Sequence, residues 1–449
     1  MAIQQMFLGI GASEEQNYWY ANIGGSGTED THYGRPIHVD SSGNVHTSGR
    51  SLSSPDSSSD LCLIKHDKDG TLLWQTSVEF GGYPYGGCVL DDSGNIYSSG
   101  LQNYSNYGSW DTAIFKHNSS GVLQWQRWIG GSSSEQVRGM CIDSSNNIYI
   151  VGETETSTIS TYNDILYVKY NSSGVLQFQK SIGSDVRLFL AKPGAATDSS
   201  DNIYITARWS ETGVGHYQNM VMKLNSSGTL QWAYGIAAAN DSDAVRDAVA
   251  AVDSSDNIYF GIHNDTESTL VVLKYNSAGT LQWQREITGA PTGVGDINEV
   301  DGISTDSDDN VYVVTLNGTG NRGPCIFKWN SSGTLQWQRF WKASDATDSC
   351  YYNGIATLEA HSFYLVTSPD PTTALEGGVD RLVVKLPADG TLTGTHGDYI
   401  YQSISYTEGA GDYVETSVTP TVQTTSMTEA VATFSTSTPT LTNTVTVID

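Results

Sequence analysis

The sequence predicts an all-β fold: a seven-bladed β-propeller of four-stranded blades, closed by an N-terminal strand that completes the last blade. Three observations predict it. An Asp-led turn phrase recurs at a period a little above 50 residues, and a Lys-bearing strand phrase recurs seven times. A Trp-type strand phrase also occurs seven times, with one copy displaced to the far end of the chain. Internal repetition at such a period points to stacked supersecondary units, and four short strands per unit point to blades.

The first phrase reads Asp, small polar residues, Asn, an apolar residue and usually Tyr. It begins at Asp40, Asp91, Asp143, Asp198, Asp253 and Asp306, at intervals of 51, 52, 55, 55 and 53 residues, with a worn copy from Leu358. The second phrase carries Lys65, Lys116, Lys169, Lys223, Lys274, Lys328 and Lys385, each followed by a turn of the type "NSSG", "DKDG" or "PADG". The third centres on Trp74, Trp125, Phe178, Trp232, Trp283 and Trp337. Alternating apolar and polar positions with β-branched and aromatic residues suit strands, and the Asp, Asn, Ser and Gly clusters suit tight turns. In the third unit the four strands are "VRGMCID", "NIYIVGET", "DILYVKYN" and "LQFQKSI".

The seventh unit has Lys385 and its turn, but "TLTGTHGD" stands where the Trp strand belongs. The missing strand is found at 18–25, where "YWYANIGG" copies "QWQRWIGG" at 124–131. The chain therefore divides into a leader at 1–17, a propeller at 18–396 and a Thr/Ser-rich extension at 397–449. Joining the two ends removes sheet edges that would otherwise pair with other chains. On this reading, deleting residues 1–25 destabilises the whole ring and ending the chain near residue 400 leaves it folded.

Segments 24–50 and 130–154 resemble the bacterial seven-bladed β-propeller repeat, over roughly residues 18–396. That resemblance implies the fold and little about function, because such repeats occur in many surface-associated proteins. The opening "MAIQQMFLGIGA" resembles the start of tail-fibre and other virion structural proteins of marine bacteriophages. It implies a docking peptide that joins the chain to other virion proteins. The extension 397–449 has no Lys or Arg and alternates Val, Tyr and Thr, which suits extended pairing with a partner.

The net charge of −27 repels phosphate backbones, so no nucleic-acid partner is expected. No apolar run approaches the roughly 20 residues of a bilayer span, and the N-terminus lacks a basic n-region, so a soluble virion component is expected, with no membrane insertion. Five cysteines without CxxC spacing read as buried free thiols.

No nucleophile elbow, zinc-protease motif, P-loop or dinucleotide fingerprint is present, so neither a catalytic residue nor a cofactor is assigned. Asp306, Asp308 and Asp309 are the densest carboxylates and the candidate calcium ligands, but they lack the glycine and distal Glu of a full EF-hand loop. Asx turns of this type form without metal, so none is expected. A residue repeated once per blade is read as scaffold, and the irregular second-to-third-strand loops as the binding face. Their aromatics Tyr104, Tyr107, Trp110, Trp209 and Tyr217 are the candidate ligand-binding residues for a host-surface glycan or receptor. The expectation is a non-enzymatic virion structural protein of the tail or fibre apparatus. Alternatives are a bacterial extracellular binding scaffold and, behind it, a glycan-active hydrolase.

Overall fold

The structure, a computed structural model, describes residues 18–448 except 25–27, 29, 32–35, 53–58, 80–81, 84–86, 104–109, 131–132, 156–162, 184–186, 190–193, 211–217, 238–244, 318–321, 345–348, 370–378, 397–398, 411–413, 418–420, 425–427, 431–434 and 438–441; from 411 onward it describes backbone only. The expected leader, residues 1–17, lies outside the described residues.

Seven antiparallel sheets stand around a ring, and each keeps the sequence order of its unit. In the third blade Glu135–Ile142 is innermost, followed outward by Ile148–Thr154, Asp164–Tyr170 and Leu176–Gly183. The innermost strands of successive blades lie side by side, and that of the seventh, Cys350–Thr357, lies beside that of the first, Ile37–Val39. The seventh blade takes its fourth strand from the N-terminal side of the chain. Tyr18–Gly24 pairs with Arg381–Pro387 in the register Trp19↔Lys385 to Ile23↔Arg381.

The core is divided among the blade interfaces. Each of seven apolar clusters among the described residues draws on two neighbouring blades. Val89, Tyr97 and Ile114 of the second blade, for example, meet Val137, Ile150 and Tyr170 of the third. Neither face of a blade is left to solvent, which explains why the second and third strands are buried almost end to end. All five cysteines are buried in these layers and none forms a disulfide, and burial pushes the thiols of Cys88 and Cys325 up to about 12.

The Trp strand and the following blade's turn fit by close approach. Gly174, in an "NSSG" turn, has a φ of 74°, and a Cβ there would lie 2.9 Å from the Trp125 ring of the blade before. Only glycine satisfies both the backbone conformation and the space.

The extension adds a fifth antiparallel strand to every blade. It visits them in the order six, five, four, three, two, one and seven. Tyr399–Ser403 joins the sixth blade, followed by Thr407–Gly409, Val414–Ser417, Thr421–Thr424, Thr428–Ala430 and Ser435–Ser437. Thr442–Ile448 then joins Tyr18–Gly24 of the seventh. The extension was expected to form strands; the edges with which they pair belong to the same chain.

One interface position varies between blades. The residue after each repeated Lys fills an inter-blade slot, occupied by Tyr170, Tyr275 and Trp329 in the third, fifth and sixth blades. In the first and second blades it is a histidine, His66 and His117; His117 is fully buried, with neither ring nitrogen hydrogen-bonded, and burial pushes its pKa down to about 4. The unfolded chain therefore binds the proton more readily. The contribution of this site to stability is fully present above about pH 6.5 and is lost as pH falls towards 4, by up to roughly 3 kcal/mol. Replacing His117 by Leu should remove that part of the acid sensitivity, read as a flatter pH dependence of the urea midpoint between pH 7 and 4.

Candidate functional site

The three repeated polar positions meet on one face of the ring. In the third blade, Asp143 Oδ1 accepts the backbone N–H groups of Ser145 at 3.1 Å and Asn147 at 2.8 Å. Its Oδ2 accepts the Tyr149 hydroxyl at 3.1 Å and pairs with Lys169 Nζ at 2.9 Å. The sequence folds this way because Asp closes an Asx turn over "DSSNN", while Tyr and Lys project from paired positions of the next two strands, Tyr149↔Lys169. The ammonium also lies 4.7 Å from the centre of the Tyr149 ring.

The same group recurs in the second, fourth, fifth and sixth blades, with Lys–Asp distances of 3.7, 3.1, 3.3 and 3.6 Å. Each lysine also reaches the next blade. Lys116 donates to Ser172 O at 2.9 Å, Lys223 to Ser277 O at 2.9 Å and Lys274 to Ser331 O at 3.0 Å. In the second and fifth blades the Trp indole N–H shares that carbonyl: Trp125 donates to Ser172 O and Trp283 to Ser331 O. Asp, Lys and Trp thus make one lock between neighbouring blades.

Electrostatics follow from this packing. Burial raises the Tyr149, Tyr204 and Tyr312 hydroxyls well above the usual range, reinforced by the carboxylate each one faces. Burial would also raise Asp143 and Asp198, but hydrogen bonds from Asn147 and Lys169, and from Asn202 and Lys223, outweigh it and hold both below the usual value. In the first blade His46 replaces Tyr. Asp40 Oδ2 lies 3.3 Å from His46 Nε2 and 3.2 Å from Lys65 Nζ. In the seventh blade the repeated turn position carries no Asp, and Lys385 reaches across the closure to Lys68 O at 3.1 Å.

Two of the calcium candidates, Asp306 and Asp309, have their carboxylates engaged in this scaffold, and Asp308 takes part through its backbone N–H. Asp306 accepts from Asp308 N, Asn310 N and Tyr312 Oη and pairs with Lys328. Asp309 sits at a φ of 60° and accepts the Ser254 N–H of the preceding blade at 2.9 Å. Asp256 and Asp201 make the same turn-to-turn contact with Ser199 and Ser144, each at 2.8 Å. Among the described residues no three His, Cys, Asp or Glu side chains converge as a metal site.

The opposite face carries the irregular loops. Tyr104, Tyr107 and Tyr217 lie outside the described residues. Trp110 opens the third strand of the second blade, half-buried, with its ring 5.4 Å from that of Tyr83. Trp209 lies near the end of the second strand of the fourth blade, its Cα paired with those of Leu188 and Gln218. Both border second-to-third-strand connections, two blades apart.

The sequence reading missed the ionic group on this face where the ring closes. Arg50 pairs with Asp30, whose backbone oxygen accepts from fully buried Arg381 at 3.3 Å, and Arg381 also donates to Thr47 at 3.4 Å. These residues lie outside the repeated phrases, so repetition could not reveal them.

No known protein family and no curated protein matches the chain. Solved structures do match. An ulvan lyase of polysaccharide lyase family PL25 aligns at a TM-score of 0.50 and 10% identity, over 82% of this chain and 96% of that one. The same enzyme bound to -[GlcA(1-4)Rha3S]- aligns at 0.48 and 11% identity, over 82% and 96% of the two chains. The propeller domain of the trilobed protease of Pyrococcus furiosus aligns at 0.44 and 9%, over 80% and 98%. At this identity the likeness is one of fold.

The lock makes a direct prediction. Lys274→Met leaves the Asp253 carboxylate, buried in the scaffold, without its cation. Breaking a buried pair of this kind costs about 2–3 kcal/mol, with Asn257 and Tyr259 still bound to Asp253. A lower urea midpoint at an unchanged m value is the expected result.

Proposed function

We propose that this protein is a non-enzymatic binding and assembly module: a phage virion structural protein of the tail or fibre apparatus. The observation that carries the non-catalytic part is the fate of the repeated polar groups. In the six blades that keep both residues, each repeated Asp faces the Lys of its own blade, and the lysines of the second to sixth blades reach backbone carbonyls of the next blade. These groups are committed to holding the ring, so recognition is assigned to the irregular face bordered by Trp110 and Trp209. Flat aromatic faces there suit a host-surface glycan or a protein anchor.

The virion part rests on the opening "MAIQQMFLGIGA" and its resemblance to virion structural proteins. Attachment to other virion proteins is assigned first to residues 1–17, because the strands of 399–448 have backbone partners within the chain. A net charge of −27 keeps such a module clear of packaged nucleic acid.

Mass spectrometry of purified particles should find this chain at a fixed stoichiometry to other structural proteins; its absence from every particle fraction would remove the virion reading. On a glycan array or host-envelope pull-down, Trp110→Ala and Trp209→Ala should weaken capture about tenfold, the scale of one lost aromatic contact. Unchanged capture by both variants would move recognition off this face.

A further inference from the structure

The closing strand Tyr18–Gly24 is the one fourth strand not joined to its own blade by a short turn. Each of the other six follows its third strand through a turn such as 171–175, whereas this one must find Arg381–Pro387 across the length of the propeller. The entropy of that closure falls on a five-residue ladder. The extension grips the same strand at two places. At its start, the Tyr399 hydroxyl donates to buried Asn22 Oδ1 at 3.0 Å, and its ring lies 5.4 Å from that of Tyr20. At its end, Thr442–Ile448 pairs with all seven residues, from Tyr18↔Ile448 to Gly24↔Thr442. The other blades take three to five pairs from the extension.

Between these grips the extension keeps a fixed step. Its strands begin at 407, 414, 421, 428, 435 and 442, seven residues apart. Tyr406 comes directly before the first of them, buried at the interface of the fifth and sixth blades. Its ring lies 5.6 Å from that of Phe327, and its hydroxyl donates to Gly295 O at 2.7 Å. The sequence repeats a bulky or stiff residue at the same interval: Tyr413, Pro420, Met427, Phe434 and Leu441.

We infer that the outer edge of Tyr18–Gly24 is a strand-acceptor site for the Thr- and Val-rich segment Thr442–Ile448, and that the extension is a clasp that holds the ring shut. This replaces the expectation that a chain ending near residue 400 keeps the ring intact. It is independent of what the loop face binds.

Amide hydrogen exchange tests it on the full chain and on a chain ending at residue 441. Ending at 441 should speed exchange in 18–24 and 381–387 about tenfold or more, while 148–170 of the third blade stays protected. A synthetic 440–449 peptide added in trans should restore protection saturably. Equal protection of 18–24 in both chains, or a uniform loss that the peptide does not reverse, would overturn the clasp. Should the shortened chain fail to fold, full-length Thr444→Pro and Val445→Pro serve instead. Of two consecutive strand residues one donates its N–H towards the neighbouring strand, so one variant must loosen 18–24. Protection unchanged in both would refute the assignment.

Discussion

A lysine that faces its own blade's carboxylate and the next blade's carbonyl is the contact on which the ring depends. Apolar packing between blades is broad and close but non-directional. The ammonium fixes the register. Lys274 reaches Asp253 on one side and Ser331 O on the other, and Trp283 binds the same carbonyl from above. Burial makes each of these contacts costly to break and leaves little tolerance for a shifted blade.

The seven-fold arrangement was legible because its parts are local. An Asx turn, a Tyr and a Lys recur at fixed offsets, and those offsets follow from strand pairing rather than from the rest of the fold. The displaced strand at 18–25 was equally legible, since it repeats the Trp and the closing Ile-Gly-Gly of its sibling at 124–131. The extension was harder to read. Its strands are three to seven residues long, rich in Thr and Ser, and carry no repeat of the blade phrases. Composition alone indicates extended pairing but cannot say with which edge. The information lay in a seven-residue interval, Tyr399 to Tyr406 and onward, that only makes sense once the spacing of neighbouring blades is known.

The loop face was legible as a face and not as a site. Trp110 and Trp209 stand where strands meet irregular connections, and neither belongs to a repeat phrase. What they recognise depends on the geometry of loops whose sequences follow no local rule. The ionic group of Arg50, Asp30 and Arg381 shows the other limit of such reading. They hold the first blade to the seventh, from positions more than 300 residues apart in the chain, and a lone Arg carries no sign of that role.

Pairing between Tyr18–Gly24 and Thr442–Ile448 has a consequence for how the protein is made. Of the described strands, the first to leave the ribosome finds its final neighbour in the last. At ordinary rates of synthesis the two are separated by roughly 20–80 s. Throughout that interval the early blades can stack on one another, but the first strand keeps an unsatisfied backbone edge. Such an edge is open to any other nascent chain on the same messenger. Blade-by-blade assembly therefore runs ahead of closure, and the yield of closed rings is set by how well Tyr18–Gly24 is shielded while it waits.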